Sequence, residues 1–123
     1  MKHILVVDDE LDILETIVDT LEIEFDAGSV TIHQAINGVE ALRMFKDNSI
    51  LFDLVITDLN MPEMDGIELT EHIKKISPGM NVIVFTGHGD IEEMERLNLL
   101  GVSAMIKKPY VEELIDEVTN SIN

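Results

Sequence analysis

The chain has 123 residues, room for one domain with a single core, and 46% of them are hydrophobic, the composition of a folded protein. Its 25 acidic against 8 basic residues leave a net charge of −17, so it lacks the basic footprint that nucleic acid phosphates or an anionic membrane surface require. It has no cysteine for disulfides or thiol chemistry and no apolar run long enough for a signal sequence or membrane span, so the expectation is a soluble, cytoplasmic, single domain over 1–123.

Ile4 to Val7 is a short apolar run of the kind that forms a buried strand, and it ends on Asp8, Asp9 and Glu10. Leu11, Leu14, Ile17, Val18, Leu21 and Phe25 then fall at helical spacing and predict a helix over about 10–24, broken by Ala27-Gly28. Val30 and Ile32 begin a second, less regular strand that reaches toward Ala35. Asn37-Gly38 signals a turn, and Val39, Ala41, Leu42 and Phe45 mark a short second helix. A third strand, Leu54 to Thr57, runs into Asp58 and an irregular loop that carries Pro62 and ends at Gly66.

Ile67, Leu69, Ile73 and Ile76 give the third helix, stopped by Ser77-Pro78-Gly79. The fourth strand, over about 81–85, runs into Thr86 and the turn Gly87-His88-Gly89. Asp90 can cap a fourth helix with Glu93 as its capping-box partner; Ile91, Met94, Leu97 and Leu100 are its apolar positions, and Gly101 ends it. The last strand, about 104–106, leads through Lys107, Lys108 and Pro109 into a fifth helix with Leu114, Ile115, Val118 and Ile122. Five strands alternating with five helices predict an α/β fold, a doubly wound five-stranded parallel sheet.

In such a sheet the functional loops lie at the carboxyl ends of the strands, where this chain places carboxylates, a hydroxyl and an ammonium. Asp58 is the candidate nucleophile, because a carboxylate can attack a phosphoryl group in line and hold it as an acyl phosphate. Asp8 and Asp9 beside it form an acidic cluster. Two carboxylates 4 Å apart repel by about 4 kcal/mol in an effective dielectric near 20. A cation among them relieves that strain, and Mg2+ prefers such oxygen ligands. Against this stands the simpler role of Asp9 or Glu10 as a cap of the first helix.

Lys108 can set its charge against a phosphoryl oxygen, and its bond to Pro109 is one of the few that can be cis. Thr86 offers a hydroxyl, and Gly87 lets a phosphoryl group approach the backbone. Met61 and Met64 are placed to wall the acidic pocket. His3, His33, His72 and His88 are not at metal-ligand spacing, and of these only His88 can reach the site mouth.

Together these segments resemble the receiver domain of bacterial two-component response regulators, the family of the chemotaxis response regulator. The resemblance rests on Val6-Val7-Asp8-Asp9-Glu10, Asn37-Gly38-Val39-Glu40-Ala41-Leu42, the loop from Asp58 to Gly66, Thr86-Gly87-His88-Gly89-Asp90 and Lys108-Pro109-Tyr110, and it runs over essentially the whole chain. It implies a flavodoxin-like (βα)5 fold with strand order 2-1-3-4-5. It also implies that Asp58 takes a phosphoryl group from a histidine kinase, a phosphotransfer protein or a small acyl phosphate, the chain catalysing only its own phosphorylation and dephosphorylation.

Asp8, Asp9, Asp58 and the backbone carbonyl of Asn60 then hold Mg2+. Thr86 hydrogen-bonds the phosphoryl group, Lys108 pairs with it, and Asn60, Gly87 and His88 modulate its loss. The switch position three residues before Lys108, aromatic in many receivers, is Met105 here. A downstream protein would read the face made by the fourth helix, last strand and fifth helix, with the chain a monomer or an activation-dependent homodimer and no direct contact to nucleic acid or membrane. The competing readings are a magnesium-dependent aspartyl phosphatase, which usually wants an acid where Asn60 stands, and a receiver-like adaptor that is never phosphorylated. A nucleotide or flavin module fits less well, since no glycine-rich loop follows the first strand.

Overall fold

A computed structural model describes residues 1–26, 28–47 and 49–123. The apolar runs become strands β1 (Lys2–Val7), β3 (Leu54–Thr57), β4 (Asn81–Thr86) and β5 (Ala104–Lys107), with β2 (Val30–Ala35) between the first two in sequence. All pair in parallel, in the order β2-β1-β3-β4-β5. The helices are α1 (Leu11–Glu24), α2 (Gly38–Lys46), α3 (Gly66–Ile76), α4 (Ile91–Leu100) and α5 (Val111–Ile122). Among the described residues no helix is long and apolar enough to cross a membrane.

Successive strand residues point to opposite faces, so each inner strand feeds two cores at once. Ile4, Val6, Ile56, Ile83 and Phe85 meet Leu14, Ile17 and Leu21 of α1 and Leu114 and Val118 of α5 on one face. Leu5, Val7, Val55 and Val82 meet Ala41 and Leu42 of α2 and Leu69 and Ile73 of α3 on the other. Each fully buried Val, Leu, Ile or Phe among these contributes about 1.5–3 kcal/mol relative to exposure. Helix α4 is seated more lightly, through the buried Leu97 and the half-buried Leu100, against Leu59, Ile67 and Val84.

Several boundaries differ from those the sequence predicts. Strand β2 is regular over six residues; at the sheet edge it is mostly half-buried, so its apolar alternation is weak. Strand β5 extends to Lys107. Helix α1 starts one residue later, at Leu11, and ends at Glu24 as expected, with Phe25 as its C-cap; of the Ala27-Gly28 pair beyond it, Ala27 lies outside the described residues. The capping box of Asp90 and Glu93 forms on α4, and Gly101 closes that helix in the left-handed region at φ 82°. A second box, Asp65 with Glu68, starts α3.

The β1 connection leads outward to β2, whereas β3 leads the other way to β4. Their carboxyl ends therefore border the crevice where a doubly wound sheet binds its ligands.

Candidate phosphoryl-transfer site

Asp8 follows β1 and Asp58 follows β3, and the ladder that pairs Val7 with Thr57 sets these two carboxylates side by side. Both are buried, at 1% and 5% exposure. Each is oriented by the backbone: Asp8 Oδ1 accepts the Glu10 N–H at 2.9 Å, and Asp58 Oδ1 accepts the Leu59 N–H at 2.7 Å. That leaves the Oδ2 atoms facing Lys108, whose Nζ lies 2.8 Å from Asp8 and 3.3 Å from Asp58. The Lys108–Pro109 peptide is cis.

A third carboxylate joins them, and it belongs to Glu10, where the sequence points to Asp9. Oxygens of Asp8, Glu10 and Asp58 lie within 4.8 Å of one another, with Glu10 Oε1 4.0 Å from Lys108 Nζ, while Asp9 is exposed and stays out of that group. A local turn explains the exchange. The chain bends at Asp9, and Asp8 Oδ1 takes the Glu10 N–H across that bend at 2.9 Å, which brings Glu10 back beside Asp8.

Burial pushes the Asp8 carboxyl above its ordinary range, against the pull of the Lys108 hydrogen bond. Burial also works against the charge on Lys108, but Asp8 and Asp58 outweigh it and hold the ammonium above its usual value. One ammonium among three carboxylates leaves an excess of negative charge. An all-oxygen donor set of this kind fits a hard divalent cation such as Mg2+.

A cavity of about 230 Å³ opens over the cluster, lined by Glu10, Asp58, Asn60, Thr86, Gly87, His88 and Lys108. Thr86 is buried at its edge, and its hydroxyl donates to the His88 carbonyl at 2.9 Å. The Asn60 side chain donates to that same carbonyl at 3.1 Å, tying the β3–α3 loop to the β4–α4 turn. The structure thus gathers Asp8, Asp58, Asn60, Thr86, Gly87, His88 and Lys108 at one edge.

The two methionines expected at the pocket wall lie elsewhere. Met61 and Met64 pack into the core beneath α2 and α3. Met105 is half-buried against the small core under α4 and lines a neighbouring cavity of about 280 Å³ with Thr86, His88 and Met94. Glu10 is the site residue that sequence reasoning missed; its place two residues after an aspartate able to take its N–H across a turn is the signal that could have found it.

The family model for the response regulator receiver domain matches residues 4–120. The chain belongs to the response regulator receiver domain family. This receiver is 37% identical over 109 residues to the chemotaxis protein CheY of Halobacterium salinarum, covering 89% of this chain and 86% of that one. It is 36% identical over 107 residues to the transcriptional regulatory protein GlrR of Escherichia coli, covering 87% of this chain but 23% of that protein, so it spans about a quarter of that relative's length. Among solved structures it superimposes on the response regulator protein TrrA of Thermotoga maritima, determined in complex with Mg2+-BeF, with a TM-score of 0.82 and 31% identity over 100% of both chains. The flavodoxin-like order 2-1-3-4-5 is therefore the receiver fold.

Proposed function

We propose that the receiver, a single unit over residues 1–123, is the phosphoacceptor of a two-component system, with Asp58 as the residue modified. The observation that carries this reading is Lys108 Nζ standing between the Oδ2 atoms of Asp8 and Asp58 in a cavity edged by Thr86. Asp58 Oδ1 is occupied by the Leu59 N–H, so Oδ2, which faces the cavity side with Lys108 Nζ 3.3 Å away, is the oxygen that attacks once Lys108 shifts. It forms a bond to phosphorus as the P–N bond of a phosphohistidine, or the P–O bond of a small acyl phosphate, breaks and the imidazole or carboxylate departs. The chain then acts on itself and turns over no external substrate.

Of the set that the family resemblance implies for Mg2+ (Asp8, Asp9, Asp58 and the Asn60 carbonyl), Asp8 and Asp58 stand together with Glu10 here; these residues would hold the ion, which would neutralise charge on the transferring group. Lys108 moves from the two carboxylates to a phosphoryl oxygen. Thr86 turns its hydroxyl from the His88 carbonyl to the same group, releasing a carbonyl that Asn60 also holds. Asn60, Gly87 and His88, at the cavity rim, govern how readily water reaches the acyl phosphate.

The Thr86 movement biases α4 and, through Met105, the face of α4, β5 and α5, which a downstream protein reads. The donor is a histidine kinase or phosphotransfer protein in the cytoplasm, and the receiver is a monomer or pairs with a second copy on activation.

The test is labelling by acetyl phosphate in magnesium buffer, followed by intact mass. The parent chain gains one phosphoryl group, and Asp58→Asn gains none. Equal labelling of that variant would place the nucleophile elsewhere.

A further inference from the structure

His3 and His33 are 30 residues apart in sequence, yet the sheet brings their rings together. In the β1–β2 ladder His3 lies opposite Thr31 and Leu5 opposite His33, so the two histidines stand on one face, a single two-residue step apart. Nδ1 of His3 is 3.0 Å from Nε2 of His33. The ring centroids are 5.3 Å apart, about the full sum of that contact and the two ring radii, so the nitrogens face each other.

The His33 ring and the His3 backbone are each anchored, which leaves both rings free to turn. His33 packs edge-on against the buried Phe52, with centroids 5.2 Å apart at 89°, and Phe52 stacks on Phe45. The His3 backbone is clamped on both sides by Asp53, whose carboxylate accepts the His3 N–H at 2.8 Å and whose own N–H donates to the His3 carbonyl at 2.8 Å.

We propose that His3 and His33 form a second cation site, at the amino end of the sheet, that takes a divalent first-row transition ion through their two imidazole nitrogens. Metal–imidazole bonds run about 2.0–2.1 Å, so two nitrogens 3.0 Å apart subtend close to 90° at a shared ion. That is the cis angle of square-planar or tetragonal coordination, which selects Cu2+ first and Ni2+ next. A tetrahedral Zn2+ site needs a wider separation, and Mg2+ prefers oxygen donors.

In the metal-free pair one ring donates its N–H to the other. On binding, that proton moves to the outer nitrogen of the same ring, both imidazoles stay neutral, and the rings tilt so that both lone pairs meet the ion. No net proton is released. Burial, and then the proximity of His3, keep His33 below its ordinary pKa and so in the neutral form a metal needs. Beside the pair, the charges of Lys2 and Asp53 oppose each other 4.0 Å apart, and the −17 charge of the whole chain draws cations to the surface.

Five residues of extended chain separate His3 from Asp8, about 17 Å, so this site is independent of the carboxylate cluster. An ion here would staple the edge strand β2 to β1 and raise the melting temperature with ion concentration.

The experiment is a calorimetric titration of Cu2+, buffered with glycine, into the full chain in saturating Mg2+, alongside electron paramagnetic resonance of the bound ion. We expect one Cu2+ per chain with two nitrogen ligands. The dissociation constant should rise at least tenfold in His3→Gln and in His33→Gln, and stay unchanged in His72→Gln.

Amide resonances of the parent chain provide a readout that needs no variant. Paramagnetic broadening centred on residues 3 and 33 supports the site. Broadening centred on Asp8 and Asp58, undiminished affinity in both histidine variants, or no nitrogen ligation overturns it.

Discussion

Lys108 answers two buried carboxylates with one charge, at 2.8 Å from Asp8 and 3.3 Å from Asp58. Replacing it by methionine keeps most of the apolar stem and removes the ammonium, leaving like charges facing each other. Lys108→Met should therefore lose about 3 kcal/mol of stability in a chelating buffer. Mg2+ should restore most of that loss, because a divalent ion takes over the neutralisation. Urea unfolding with and without Mg2+ reads both numbers. An equal deficit in the two buffers would assign the loss to stem packing instead of charge.

The same scale shows what the sequence could and could not disclose. Asp8, Asp58, Thr86 and Lys108 were legible because each ends a run of apolar residues, and in a parallel sheet run-ends converge. Glu10 was not, because adjacent carboxylates look equivalent until the local chain direction is known. The His3–His33 pair was invisible for a related reason, since strand register has no signature in the spacing of two residues on different strands.

At the scale of elements, the site depends on how tightly α3 begins beneath the end of β3. A Cβ on Gly66 would overlap the Asp58 carbonyl oxygen and come within 2.9 Å of the Leu59 Cα. Gly66 also donates its N–H to the Leu59 carbonyl at 2.8 Å, so helix and strand end are locked at van der Waals distance. Gly66→Ala must push the β3–α3 loop away from the sheet, at a cost of about 1–3 kcal/mol. Because Asp58 and Asn60 sit on that displaced segment, Mg2+ affinity should fall as well.

Gly79→Ala is the control: nothing lies within 4 Å of a Cβ there, and stability and Mg2+ binding should both hold. Thermal melts and Mg2+ titrations compare the pair, and matched behaviour would show that the loop absorbs the extra methyl. Elements themselves were readable where burial was complete. Strands β1, β3 and β4 stand out as apolar runs, whereas β2 at the edge blurs because solvent relaxes the demand on its outer residues.

Across the whole molecule, 25 acids against 8 bases make self-repulsion a property of the fold as well as of the site. The charge suits the helix dipoles at one end only: α1, α4 and α5 carry acids in their first turns but no base in their last. Raising NaCl from about 10 mM to 1 M shortens the screening length from roughly 30 Å to 3 Å. It should raise the melting temperature by several degrees at neutral pH.

Mg2+ bound as proposed would act through a different route, the cluster of Asp8, Glu10 and Asp58, so its effect should exceed that of NaCl at matched ionic strength. The two routes separate in Asp8→Asn. That variant keeps almost all of the surface charge and so keeps the NaCl response, but it loses a buried ligand and with it the extra magnesium increment. Calorimetric melts of both chains in the two salts decide the matter: a variant that retains the full increment would show that magnesium stabilises this receiver by screening alone.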